Sequence, residues 1–185
     1  MRRARRLLLA TGNPHKVEEL RAALPGFEID PFVAEGTPPE DGATYLDNAR
    51  IKARHAREHA PAAAWVVGED SGIEAAALGG RPGIESARWA EDGVAALLAA
   101  LATETDRSVR YVSELVAISP AGEELRGTGT LEGIAADAPR GTEGFGYDPI
   151  VIPLGETRTV AELGDAWKSE HSHRARAAQA LAKHL

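Results

Sequence analysis

The feature that most constrains this chain is a pair of long β-patterned stretches in its second half. Residues 108–119 and 124–135 read as two extended strands joined through Pro120-Ala121-Gly122, a connection short enough to hold them side by side as a hairpin. An isolated hairpin is marginal in water, so it needs a larger sheet to join. The first half of the chain supplies the partners. Residues 6–10 read as a buried strand. Asn13-Pro14 reads as an N-cap with proline at the first helical position, and the helix runs to about residue 24. Residues 27–33 read as a second strand, and 34–42 as a loop rich in Pro, Gly and acid. A helix is expected over 43–60, with Leu46, Ala49, Ala53, Ala56 and Ala60 on one stripe. Residues 64–67 read as a short strand ending at Gly68-Glu69-Asp70-Ser71-Gly72, and 73–78 as another strand, with turns at Gly79-Gly80 and Pro82-Gly83. A helix over 93–102, a Gly-rich loop over 141–149, a strand over 150–152 and a final helix capped by Ser172 complete the pattern. Alternation followed by a hairpin predicts an α/β fold: a mixed sheet with helices packed around it.

With 185 residues, the chain supports one domain or one domain with two lobes. A formal charge of -7 disfavours polymeric nucleic acid, whose phosphates reward a basic face, but leaves room for a single nucleotide held by a few cations and a metal. There is no cysteine, which excludes disulfides, thiolate nucleophiles and cysteine zinc sites. The arginines and leucines of residues 1–9 read as a basic lead-in to the first strand, because Thr11-Gly12-Asn13-Pro14 ends the apolar stretch too early for a signal peptide. No apolar run reaches membrane-spanning length, and a cytoplasmic protein is expected.

Five segments offer chemistry. Thr11-Gly12-Asn13-Pro14-His15-Lys16 lies between a strand and a helix, where free N–H groups and the helix dipole favour a phosphate and Lys16 adds a cation. It lacks the Gly-Lys-Ser/Thr ending of a Walker A loop, and a plain turn with a surface lysine competes with the phosphate reading. Glu40-Asp41 and Glu69-Asp70 are expected in loops, where carboxylates from distant segments can converge on magnesium or stay solvated. Asn48 and Lys52 are four apart and share a helix face beside the alanine stripe, so Lys52 either reaches a phosphate or stays exposed. Gly141-Thr142-Glu143-Gly144-Phe145-Gly146-Tyr147-Asp148-Pro149 sets two aromatics among glycines, which suits a stacked base as well as a core plug. Lys168 with Ser172-His173-Arg174 offers donors at a helix start. His171 and His173 do not make a metal site without a third ligand, and Ser71 lacks the glycine spacing of a nucleophile elbow.

In this order the stretches resemble the inosine triphosphate pyrophosphatase family, which acts on dITP, XTP and other non-standard purine triphosphates. The matching segments are residues 9–16, 41–49, 69–72, 78–88, 144–149 and 172–174, spread over nearly the whole chain. The resemblance implies an elongated sheet with flanking helices, two lobes around a central active-site cleft, and a homodimer. It implies that Thr11, Gly12, Asn13, Pro14, His15 and Lys16 hold the triphosphate. Glu40 and Asp70 would bind Mg2+, with Glu69 as a further candidate ligand and Asp70 also the base. Lys52, Ser71 and Lys168 would contact substrate, Phe145, Gly146, Tyr147 and Asp148 would form the base pocket, His173 and Arg174 would read the purine, and Arg88 would lie near the base. Glu69 stands where the family often has Asp, Glu85 where it often has an aromatic, and Trp89 where it often has Tyr; residues 163–167 also depart from its usual pattern. The implied reaction releases a nucleoside monophosphate and pyrophosphate, with Lys16, Lys52 and Lys168 meeting the leaving charge. Two rivals stay open on the residues: a Maf-like pyrophosphatase with another base preference, and a non-catalytic nucleotide-binding module.

Overall fold

The computed structural model describes residues 5–36 and 38–185. Residues 1–4 of the expected basic lead-in, and residue 37 of the acidic loop, lie outside the described residues. Among the described residues six strands form one sheet: β1 (Arg5–Leu9), β2 (Phe27–Pro31), β3 (Trp65–Ala75), β4 (Ser108–Ile118), β5 (Glu124–Ala135) and β6 (Val151–Pro153), in the order β2-β1-β3-β4-β5-β6. The first three pair in parallel, and β3 through β6 pair antiparallel. The mixed α/β sheet is the one the sequence predicts.

Among the described residues five α-helices flank it: α1 (Pro14–Ala23), α2 (Tyr45–His59), α3 (Gly93–Ala100), α4 (Val160–His171) and α5 (His173–Ala182). The expected caps are in place. Asn13 Oδ1 accepts the His15 amide at 3.0 Å with Pro14 at the first helical position, and Ser172 Oγ accepts the Ala175 amide at 3.1 Å. The sequence reading missed α4, although Thr159 and Glu162 form a capping box at its start. Gly164, at φ 85°, breaks that helix and cuts its apolar period into pieces too short to read.

The acidic segment 68–72 is not the expected turn. It lies inside β3, which runs unbroken from Trp65 to Ala75. Gly68 and Gly72 are there for close approach: a Cβ on Gly68 would meet the Ala49 carbonyl oxygen at 2.0 Å, and one on Gly72 would meet the Gly83 carbonyl oxygen at 2.3 Å. The first clash is α2 lying directly on the sheet. Gly127 and Gly129 of β5 do the same under α5 on the opposite face, where added Cβ atoms would meet the carbonyls of Ala177 and His173.

Side-chain alternation sorts the core. On one face Leu7, Leu9, Val67, Leu115 and Ala117 pack against Val17 and Leu20 of α1 and Ala177, Ala178 and Leu181 of α5. On the other, Leu8, Val66, Val116 and Ile118 meet Ala49, Ala53 and Ala56 of α2. A third cluster, including Ile73, Leu97, Tyr111, Leu131 and Tyr147, fills the far end of the first face. Since α1 and α2 leave β1 and β2 on opposite faces, the chain reverses direction beside β1. In open α/β sheets ligands bind at such a point, beyond the carboxyl ends of the strands. Here β1 stops at Leu9, opposite Val67, so residues 68–72 of β3 present a bare edge, which Ser86 and Pro82 close again at Ile73 and Glu74.

Candidate active site

That bare edge lets side chains from both faces of the sheet meet. Strand alternation sends Glu69 and Asp70 to opposite faces. Asp70 turns toward α2. Its Oδ2 accepts Asn48 Nδ2 at 3.2 Å, and its Oδ1 accepts Lys52 Nζ at 2.8 Å. Lys52 also donates to Glu40 Oε1 at 2.8 Å and to the Glu69 carbonyl at 3.2 Å. One ammonium therefore holds two carboxylates, Glu40 and Asp70, within two hydrogen-bond lengths of each other. Asn48 is itself fixed, because its Oδ1 accepts the Gly42 amide at 2.9 Å. That bond ties the acidic loop to α2.

Glu69 turns toward α1 and α5. Its carboxylate pairs with Lys16 Nζ at 2.6 Å and accepts Arg174 Nε at 3.1 Å and Ser113 Oγ at 3.2 Å. Burial alone would raise its pKa, but Lys16 and Arg174 hold it well below the usual carboxylate range. Glu69, the further metal ligand the sequence allows, is therefore paired with Lys16 and Arg174 in this structure. Asp70 behaves oppositely: burial raises its pKa, and Lys52 offsets this only in part. For Glu40 burial also pushes upward, yet Lys52 brings the net shift downward. Oxygen-only donors around an already shared cation suit magnesium, which binds through one or two carboxylates with phosphates and water. Glu40 and Asp70 fit that requirement.

Two cavities flank Lys16. One, of about 460 Å³, is lined by Thr11, Gly12, Asn13, Lys16, Glu40, Lys52 and Glu69 among others. The other, of about 590 Å³, is lined by Lys16, Ser71, Tyr111, Phe145, Gly146, Tyr147, Asp148, Lys168, His173 and Arg174 among others. Asn13, Lys16 and Ala87 belong to both, so the two join across the start of α1. In the larger one the His15 ring stacks on Phe145 with centroids 5.1 Å apart, and Lys168 and Arg174 approach the Phe145 ring at 4.8 and 5.5 Å. Asp148 accepts Lys168 Nζ at 2.6 Å, Tyr111 Oη at 3.1 Å and the Phe145 amide at 2.9 Å. Arg174 also pairs with Glu19 and donates to Ser71 Oγ at 2.9 Å. His173 is buried and stacks on Tyr111 at 4.4 Å, and its Nδ1 has no hydrogen-bond partner. Burial, reinforced by Arg174, pushes its pKa well below the usual imidazole value.

Several expected positions shift. Lys168 lines the larger cavity with Lys16, and not the smaller one with Lys52. Its side chain is 2% exposed and lies between Asp148 and Glu19, because an ammonium buried behind Phe145 needs counter-charges close by. Arg88, expected near the base, instead reaches Glu40 Oε2 at 3.5 Å, drawn to the acid cavity by its carboxylate. Pro14 starts α1 and lines neither cavity. Glu19 and Tyr111 were missed. Glu19 had a signal, three residues after Lys16 on the same helix face; Tyr111 had none beyond its place in a strand.

The Ham1 family model matches residues 7–184. Among similar proteins, a dITP/XTP pyrophosphatase from Symbiobacterium thermophilum is 48% identical over 184 residues, covering 94% of this chain and 91% of that protein. One of the same name from Bdellovibrio bacteriovorus is 41% identical and covers 97% and 96%. Among solved structures, the Staphylococcus aureus Ham1 protein superposes with a TM-score of 0.85 at 31% identity, covering 98% of each chain.

Proposed function

The chain belongs to the Ham1 family, and on that premise we propose that it hydrolyses ITP, dITP and XTP to the nucleoside monophosphate and pyrophosphate. One observation carries the reading: a cavity of carboxylates and lysines meets an aromatic, donor-lined cavity at Lys16, which suits a triphosphate in the first and its base in the second. Magnesium, held by Glu40 and Asp70 with phosphate oxygens and water, would supply charge neutralisation and a more acidic water.

The chain's own residues do the rest. Asp70 takes a proton from the attacking water at its carboxylate oxygen, and its raised pKa suits a base. The water oxygen bonds to the α-phosphorus, the bridge to the β-phosphate breaks, and its electrons leave with pyrophosphate. Lys16 and Lys52 meet that charge, while residues 11–13 position the phosphates beside the start of α1. In the other cavity a purine stacks on Phe145 in place of the His15 ring. His173 Nδ1, a buried atom without a partner that lies on a residue lining this cavity, then donates to the 6-keto oxygen. Adenine offers an amino group there, and a buried donor left unpaired discriminates by up to about 10⁴-fold.

The test is pyrophosphate release from ITP, XTP, dITP, GTP and ATP, with and without magnesium. Turnover of the first three, slow turnover of ATP and dependence on magnesium are expected. No release from ITP would leave a binding module, and a pyrimidine preference in a wider panel would leave a Maf-like enzyme.

A further inference from the structure

α2 carries a second group of ligand-type side chains at the rim of the smaller cavity, which one of them, His55, also lines. His55, Glu58 and His59 occupy positions i, i+3 and i+4, so they share one face of the helix. One ligand atom from each lies within 4.8 Å of those of the other two. Among the described residues no other group of three His, Cys, Asp or Glu side chains comes this close. The pair His171 and His173 fails for want of a third ligand; this group has one.

The hydrogen bonds of the two rings sharpen the geometry. His55 Nε2 contacts the Gly36 carbonyl at 3.0 Å, and His59 Nδ1 contacts the His55 carbonyl at 2.8 Å. A carbonyl only accepts, so each of these nitrogens carries the hydrogen. In a neutral imidazole the other nitrogen then holds a lone pair: Nδ1 of His55 and Nε2 of His59. Metal-binding histidines are oriented in this way, by a second ring N–H donated to a backbone carbonyl. The ring centroids are 4.5 Å apart and tilted, which leaves the two rings side by side.

We propose that His55, Glu58 and His59 form a site for a borderline divalent cation of the Zn2+, Ni2+ or Cu2+ class, separate from the acid pair. Two imidazoles and one carboxylate select such ions over magnesium, which prefers oxygen ligands and keeps its waters. Three protein ligands leave at least one coordination position for water. The site is one turn along α2 from Lys52, and the Gly36 bond of His55 links it to the loop that leads to Glu40.

The experiment is Zn2+ titration of the whole protein by calorimetry, with excess magnesium present to occupy the acid pair. The H55A/H59A double variant, E58Q and a control, H171A, are run alongside. Far-UV circular dichroism checks folding, which these helix-surface changes should leave intact. Wild type and H171A should bind one equivalent of Zn2+. E58Q should bind about tenfold more weakly, and the double variant should lose the equivalent. Cu2+ should show nitrogen ligation by electron paramagnetic resonance in wild type and lose it in the double variant. Equal Zn2+ binding by wild type and the double variant, or no equivalent in wild type, would overturn the proposal. Neither result bears on pyrophosphate release, so the proposed activity stands or falls separately.

Discussion

The two cavities that meet at Lys16 hold their charges in different ways. In the smaller one, Glu40 has a side chain 38% exposed and Lys52 one 13% exposed, and their ion pair can open to a phosphate or cation at modest cost. In the larger one, Lys168, Asp148 and Arg174 are 2%, 5% and 2% exposed, and each is held by more than one partner. A buried pair cannot lose one member without stranding the other's charge. The first cavity is therefore arranged to exchange partners and the second to keep its shape, and substitutions in the two should fail differently.

The sharpest contrast is Asp70→Asn. It removes the proposed base while keeping the Asn48 contact, and kcat/KM should fall by about 10³-fold or more with the melting temperature nearly unchanged. A steady-state assay beside a thermal melt checks this; an active D70N would break the comparison at its centre. Lys168→Met should do the reverse first. It strands Asp148 and Glu19 and should cost about 3–5 kcal/mol of stability, read by denaturant unfolding. Lys16→Ala lies at the junction, so a loss of about 10²-fold in kcat/KM is expected with a smaller stability change, since Arg174 and Ser113 still hold Glu69.

His173 gives a pH handle on the buried side. Its folded pKa is depressed by burial, while the unfolded imidazole protonates near its ordinary value. The unfolded state therefore binds more protons, and stability present above about pH 6.5 is lost as the pH falls, by up to about 1.4 kcal/mol per unit. Melting temperatures from pH 7.5 to 5 should fall more steeply for wild type than for His173→Phe, which keeps the stack on Tyr111. Parallel curves would show that His173 is not buried neutral. The smallest effect is expected at a residue that lines neither cavity. Arg54→Ala opens an exposed pair with Glu124 and should shift stability by less than about 1 kcal/mol, with kcat untouched.

Much of the frame was legible because its signals are local. Asn13-Pro14 and Ser172 announced two helix starts through their capping chemistry, and the long hairpin announced the antiparallel half of the sheet. The alanine stripe at 49, 53 and 56 marked the face of α2 that packs. Other features were misread where two local meanings compete. Glycines beside acids at 68–72 read as a turn, yet these glycines make room for α2 and for residues 83–86 over a continuous strand. Gly164 hid a helix that Thr159 and Glu162 had already begun.

The sequence by itself determined most of the segments that curl or extend, 68–72 and 160–171 apart, and which residue types stood ready for phosphate, metal and base. Only the tertiary structure decided their allegiances. Glu69 and Asp70, adjacent in the chain, face opposite sides of a strand and answer to different lysines. Lys168 sits in a buried cage with Glu19 and Asp148, and Arg88 reaches Glu40. The reason is physical: caps and periods are set within a turn or two of chain, whereas the partner of a charge depends on which distant segment the sheet edge brings within a few ångströms.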